Sequence, residues 1–240
     1  FPLKLHYLSL VTLELGRHIC IAYYPWTELF SPPVWQLENP LPPPVSFEED
    51  RAKAFQPIAD IWNNVPSFVA LHGAFTPMSI EEDFWIFFRS GLWKDGSYGR
   101  MNTGSYNDWY ENMSGEEDLR QYKHYKKELQ LLAFNQGKGE KPYVRKDSYH
   151  MKFISTLLQV FPDARIVHLI RDPVANHASS CSIAYTWATL IYDLKDIDRL
   201  KLGKAVARYN LIGMRKFLEF RKVYDANLAP GERSFFCDVK

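Results

Sequence analysis

The stretch from Phe161 to Ser180, FPDARIVHLIRDPVANHASS, constrains the rest of the chain more than any other. Ile166, Val167, Leu169 and Ile170 make a short, mostly β-branched apolar run between Phe161-Pro162-Asp163 and Arg171-Asp172-Pro173, the pattern of a strand buried on both faces. Pro173 suits a first helical turn, where a missing N–H is no loss. Val174, Ala178, Cys181, Tyr185 and Ala188 then recur at helical spacing as an apolar face. Arg171 therefore sits at the carboxyl end of a strand where a helix begins, the edge at which open α/β sheets bind ligands. With Ser179 on the helix behind it, Arg171 offers a planar fork and a hydroxyl to one phosphate group. The plain alternative for Arg171-Asp172-Pro173 alone is a strand-to-helix turn with a surface ion pair.

Pro142 to Lys146 predicts a second strand, and Phe153, Ile154, Leu157, Leu158 and Phe161 predict the helix that crosses over to the central one. Strand, helix, strand, helix is a βαβα unit, which calls for a parallel sheet and a right-handed crossover. Ala205, Val206, Tyr209 and Ile212 mark another long helix, and Ala229-Pro230-Gly231 turns the chain into a last strand, Ser234 to Val239. Earlier in the chain, the capping boxes Ser46/Glu49, Ser79/Glu82 and Ser114/Glu117 open three helices. Between them, SFVALHG, bounded by Pro66 and Gly73, reads as an extended piece, and Gly91 to Gly104 as a loop. Pro32 to Pro44 reads as an irregular loop around Trp35, because its prolines fix φ and remove donors. Phe1 to Phe30 alternates between strand and helix patterns.

The 240 residues, 46% of them hydrophobic and 15% aromatic, supply one substantial core, so a single domain is expected. A formal net charge of +1 leaves no global field to recruit nucleic acid or an acidic membrane, and any anion site is local. Lys123, His124, Lys126 and Lys127 read as a solvated helix face rather than a polyanion surface. Cys20, Cys181 and Cys237 are odd in number and far apart, which argues against a disulfide framework or a zinc knuckle. His177 and Cys181, one helical turn apart, fit an apolar stripe better than a metal site, so no metal is expected. Arg17 and His18 interrupt the most hydrophobic part of the N-terminal region, which leaves no run long enough to span a membrane. The chain is expected to be cut at both ends.

If the strands carrying Lys146 and Arg171 are neighbours, their basic groups converge. His150, in KDSYH, follows Lys146 within about one helical turn. A lysine near an acidic leaving group and a histidine able to take a proton at neutral pH suit transfer of a charged group to a hydroxyl. An exposed lysine and a histidine without catalytic duty are the plain alternatives, and His72, in LHGAF, is a rival base.

Taken in order, five features resemble one family: Trp35-Gln36-Leu37 with Pro40 to Pro44, Glu81-Glu82-Asp83, Lys146-x-Ser148-x-His150, Phe161-Pro162-Asp163-Ala164, and Arg171-Asp172-Pro173 with Ser179. They resemble the W-E-L-x-x-P-x-P-P-P, K-S-P-x-H, F-P-D-A and R-D-P…S motifs of the sulfotransferases that use 3′-phosphoadenosine 5′-phosphosulfate (PAPS), over Ser31 to Val239. The resemblance implies an α/β fold of P-loop-NTPase type, a parallel sheet flanked by many helices. It implies PAPS as co-substrate, adenosine 3′,5′-bisphosphate as product, and no metal. On it, Arg171 and Ser179 hold the 3′-phosphate, Lys146 faces the sulfuryl and 5′-phosphate groups, and His150 is the candidate base. Residues 1–30 then form an atypical segment, 31–140 a helical acceptor-side region, and 141–240 the 3′-phosphate-binding core. The acceptor, whether small molecule, carbohydrate or lipid, stays open; Trp93, Tyr98, Tyr106, Trp109 and Tyr110 fit a pocket or a core equally well.

One departure is large. The family grips the 5′-phosphosulfate with a strand-loop-helix of the type P-R-S-G-T-T, whose N–H groups cradle the anion. Here Leu10 to Arg17 reads LVTLELGR, and only Gly16 and Arg17 are reminiscent. A second reading is therefore a non-catalytic relative that acts by binding a partner. A third, a nucleotide kinase, lacks its G-x-x-x-x-G-K-[ST] loop. Without that loop the chain should transfer little or nothing, and if the loop's own strand is gone as well the sheet should expose an unpaired edge.

Overall fold

A computed structural model of the chain describes residues 7–12, 32–38, 48–92, 104–113, 115–135, 143–190, 192–232 and 234–239. Among the described residues, four parallel strands, β1 (Tyr7–Thr12), β2 (Tyr143–Lys146), β3 (Arg165–Leu169) and β4 (Phe236–Val239), make one sheet in the order β2-β1-β3-β4. Leu10 lies opposite Lys146 on one side of β1 and opposite Val167 on the other. Two expectations are corrected by this strand. The sheet does not lack the strand ahead of the phosphate loop, and the strands carrying Lys146 and Arg171 are not neighbours, because β1 runs between them. A central parallel strand is an apolar run without alternation, and one of six residues cannot be told from helix by period alone. Residues 13–17, where the phosphate loop was sought, lie outside the described residues.

The helices follow the apolar patterns with local exceptions. Inside the proline-rich stretch, Val34–Glu38 forms a short helix, α1, with Trp35 and Leu37 buried. Helix α2 (Glu48–Asn63) has the 16 residues its pattern implied. SFVALHG is helical, not extended: Pro66 opens α3 (Pro66–His72) at a position that needs no N–H, and Gly73 closes it. Helix α4 (Phe84–Arg89) begins later than the Ser79/Glu82 box implied. Ser79 Oγ instead accepts from the Thr76 N–H at 3.0 Å, and Asp83 precedes the first turn. Tyr106, Trp109 and Tyr110 sit on α5 (Gly104–Asn112), while Trp93 and Tyr98 lie outside the described residues.

Helix α6 (Gly115–Asn135) spans the core, and α7 (Tyr149–Lys152) with α8 (Ile154–Val160) joins β2 to β3. Helices α9 (Pro173–Ala188) and α10 (Arg199–Ala226) lead from β3 to β4. The expected apolar face of α9 is displaced: Val174 is 76% exposed, and the buried side carries Asn176, Ser180, Ile183, Ala184 and Ala188.

The strand alternation divides the sheet's faces. Tyr143, Arg145, Ile166, His168 and Phe236 are buried at alternate positions, the apolar ones among them joining the large core with α4, α6 and α8. That core is aromatic: Phe87 stacks on Tyr125 at 4.9 Å and on Tyr149 at 4.3 Å between ring centroids. Val144 and Val167 point the other way and form a separate small cluster with Leu169 and Val239. Among the described residues, no helix is long and apolar enough to cross a membrane.

Candidate functional site

All four strands are parallel, so their carboxyl ends share one edge. At the end of β2, Lys146 is 40% exposed at its side chain and lies 3.7 Å from Glu82 Oε1. Across that edge the backbone before α4 is tied down by the Asp83 N–H, which donates to the Lys146 carbonyl at 3.2 Å. Glu81, Glu82 and Asp83 therefore cross the mouth of β2, and all three are buried.

Behind Lys146 lies a sealed charge network. Asp83 and Arg145 are paired with no exposed side-chain surface. The Tyr125 hydroxyl donates to Asp83 Oδ2 at 2.8 Å, and His150 Nε2 donates to the same oxygen at 3.1 Å. The Tyr122 hydroxyl lies 2.8 Å from His150 Nδ1. Burial opposes the charge on Asp83, but the Arg145 guanidinium together with His150 outweighs it and holds the carboxyl below the usual carboxylate range. His150, expected as a base, is 0% exposed, with both ring nitrogens turned to protein groups.

Two strands away, Arg171 follows β3, and the Asp172 side chain caps α9 by accepting from the Ala175 N–H at 2.7 Å. Arg171 and Ser179 are both half-buried. One turn into α9, Asn176 is 5% exposed, and its buried Oδ1 has no hydrogen-bond partner among the described residues. Lys146 and Arg171 thus lie on either side of β1 rather than side by side: two strand spacings, roughly 10 Å, separate Lys146 from Val167 at its level on β3, and Arg171 comes four residues further along the chain. Long basic side chains on either side of one strand end can face two anionic groups of one extended ligand.

His72, the rival base, ends α3 and places Nε2 3.4 Å from Glu81 Oε2. Sequence reasoning picked out both His72 and the Glu81-Glu82-Asp83 run, but missed that this run joins His72, Lys146, Arg145 and His150. The signal was three carboxylates ahead of an apolar helix, more than capping one helix needs. His177 and Cys181 approach at 3.5 Å on α9, and burial pushes the Cys181 thiol up. Among the described residues, no group of three His, Cys, Asp or Glu side chains is placed to hold a metal ion.

Comparison with known proteins agrees with this architecture. The sequence pattern of the sulfotransferase family matches residues 87–229. No curated protein sequence matches the chain. The crystal structure of sulfotransferase STF9 from Mycobacterium avium superposes with a TM-score of 0.67 at 17% identity, over 98% of this chain and 59% of that one. Sulfotransferase STF1 from Mycobacterium tuberculosis H37Rv superposes with a TM-score of 0.62 at 22% identity, over 88% of this chain and 55% of that one. The chain therefore spans a little over half the length of these solved relatives. With the family pattern matched over more than half its length, the chain belongs to the sulfotransferase family.

Proposed function

We propose that the protein transfers a sulfuryl group from PAPS to a hydroxyl or amine of a small-molecule, carbohydrate or lipid acceptor. The observation that carries this reading is the carboxyl edge of the sheet in a chain of this family, where Lys146 and the Arg171–α9 start stand on either side of β1. On this reading Arg171 and Ser179 bind the 3′-phosphate. Lys146, kept at the edge by Glu82, meets the 5′-phosphate oxygen that gains charge as the sulfur–oxygen bond breaks. The sealed imidazole of His150 supports a holding role, through Asp83, rather than contact with an acceptor. PAPS supplies the activated sulfuryl group, so positioning and electrostatics are the work left to the protein.

Because β1 is in place, the expectation that this chain transfers little or nothing rests on the sequence of the loop alone and no longer on a missing strand. The non-catalytic reading draws its support from the absence of P-R-S-G-T-T in the sequence. Titration calorimetry with adenosine 3′,5′-bisphosphate tests the site itself. Charge-assisted hydrogen bonds contribute about 1.5–3 kcal/mol each, so Arg171→Ala should weaken binding roughly 10- to 100-fold. Equal affinity in a folded Arg171→Ala protein removes Arg171 from the site, and bisphosphate binding without label transfer from PAPS favours the non-catalytic reading.

A further inference from the structure

We propose that the outer face of α10 is a docking surface for an anionic lipid bilayer, on which the helix lies flat with its leucines in the headgroup layer. The surface is separate from the sheet edge and needs no part of the sulfotransferase reading.

Helix α10 buries one side only. Leu202, Val206 and Phe217 are buried against the body of the protein, where the helix packs on α7, α8 and α9. On the opposite side Leu200, Lys204, Leu211, Arg215, Leu218 and Lys222 fall in one line at the helical period, and all six are exposed. The three leucines are 69%, 55% and 52% exposed. From Leu200 to Lys222 the line runs roughly 33 Å. A single exposed leucine needs no explanation, but three in line with cations between them make the basic amphipathic face that lies on a membrane surface.

The charge pattern selects the occupant. Lys204, Arg215 and Lys222 have no acidic partner among the described residues. Arg208, one turn beyond Lys204, is taken by Asp108 and Glu111 of α5, and Asp225 is taken by Arg221, so neither alters the balance. Glu219 is the remaining acid beside the line. The whole chain carries a net charge of +1, so three cations here leave the rest of the molecule net negative and turn this face toward an anionic surface. A second copy of the chain does not fit. Pairing the line with itself sets Lys204 against Lys222 when antiparallel and each cation against its own copy when parallel. A nucleic acid would meet the cations and leave the leucines in water. An anionic bilayer meets both, with lipid phosphate and carboxylate groups at the cations and acyl boundary beneath the leucines.

The test is cosedimentation of the whole chain with phosphatidylcholine vesicles and with vesicles carrying about 30% phosphatidylserine, at low and high salt, with a thermal melt on every variant. The phosphatidylserine vesicles should bind the protein at least about tenfold more strongly, and high salt should remove most of that binding. Lys204→Glu, Arg215→Glu and Lys222→Glu together should weaken it roughly 100-fold or more. Leu211→Ser with Leu218→Ser keeps every charge and should weaken it roughly tenfold. Lys123→Glu with Lys127→Glu, on the exposed basic face of α6, should change it by no more than about threefold. Equal binding to the two vesicle types overturns the proposal, as does a folded triple variant that binds like wild type. A leucine pair without effect overturns it too, because charge alone then holds the protein, and an α6 loss as large as that of the triple variant places the surface elsewhere. If the wild-type protein binds neither vesicle and forms a dimer that Leu211→Ser with Leu218→Ser abolishes, a second copy covers the face and the proposal fails.

Discussion

At the scale of single residues, Asp118 is a buried charge that costs stability, and it can be removed. Asp118, on α6, is 8% exposed, and its Oδ1 has no hydrogen-bond partner among the described residues. Burial raises its pKa from 3.8 to about 6, against the pull of Lys152 and Lys216. A carboxyl with a raised folded-state value favours the folded state most when protonated. Its contribution is complete below 3.8 and is lost as pH rises through about 6. Asparagine mimics the protonated form, so Asp118→Asn should stabilise the protein at pH 7 by about 2–3 kcal/mol, a gain that fades toward pH 4. Urea melts of both proteins at the two pH values measure it, and equal stability at pH 7 would contradict the burial argument. Asp83 has the opposite sign, because its lowered pKa gives stability that is lost only in stronger acid. Lys146 belongs to the chemistry. Lys146→Ala should lower kcat roughly tenfold or more while changing PAPS affinity less, since its charge matters most where the leaving oxygen gains charge. A loss confined to affinity would make Lys146 a binding residue only.

At the scale of elements, the short helix α3 carries His72 to the edge, and its end depends on one glycine. Gly73 adopts φ 92° and ψ 171°, a region other residues rarely enter, while its N–H donates to the Val69 carbonyl at 2.9 Å. A Cβ added there meets nothing within 4 Å, so the cost of Gly73→Ala is conformational alone. That cost is roughly 1–3 kcal/mol, or about 2–4 °C in melting temperature for each kcal/mol. A melt unchanged within about 1 °C would show that this turn relaxes freely. The element also marks where the sequence was legible and where it was not. The unit from Tyr143 to Ala188 was readable because its strands and helices change period at Pro and Asp signals, so β2, β3 and α9 lie where the pattern puts them. Seven helical residues between Pro66 and Gly73 are too few to establish a period, and α3 read as extended. The burial of His150 was beyond reach for another reason: its partner Asp83 is 67 residues away, and only the assembled sheet brings them together. Lys146 and Arg171 were visible as strand-end groups, but the strand between them was not.

At the scale of the whole molecule, β1 decides whether the sheet is one unit. β2 carries the Asp83 network and leads to α7, while β3 and β4 carry the α9 and α10 side, and among the described strands only β1 pairs with both halves. The helices supply a second link, since α10 packs on α7, α8 and α9. Two couplings compete, and a proline in β1 separates them. Leu10 pairs with Lys146 and with Val167, so it has a strand on each side and no solvent edge toward which a missing N–H can be turned. Leu10→Pro removes one ladder hydrogen bond and leaves a buried carbonyl without its donor, a loss of about 2–4 kcal/mol. For a domain of this size that is roughly 5–15 °C in melting temperature. If β1 is the main coupling, the transition should also broaden, and the affinity for adenosine 3′,5′-bisphosphate should fall because Lys146 and Arg171 lose their common reference. If helix packing is the main coupling, the transition stays sharp and shifts as a whole. A Leu10→Pro protein that melts within about 2 °C of wild type and binds bisphosphate equally well would show that residues 7–12 do not hold the middle of the sheet.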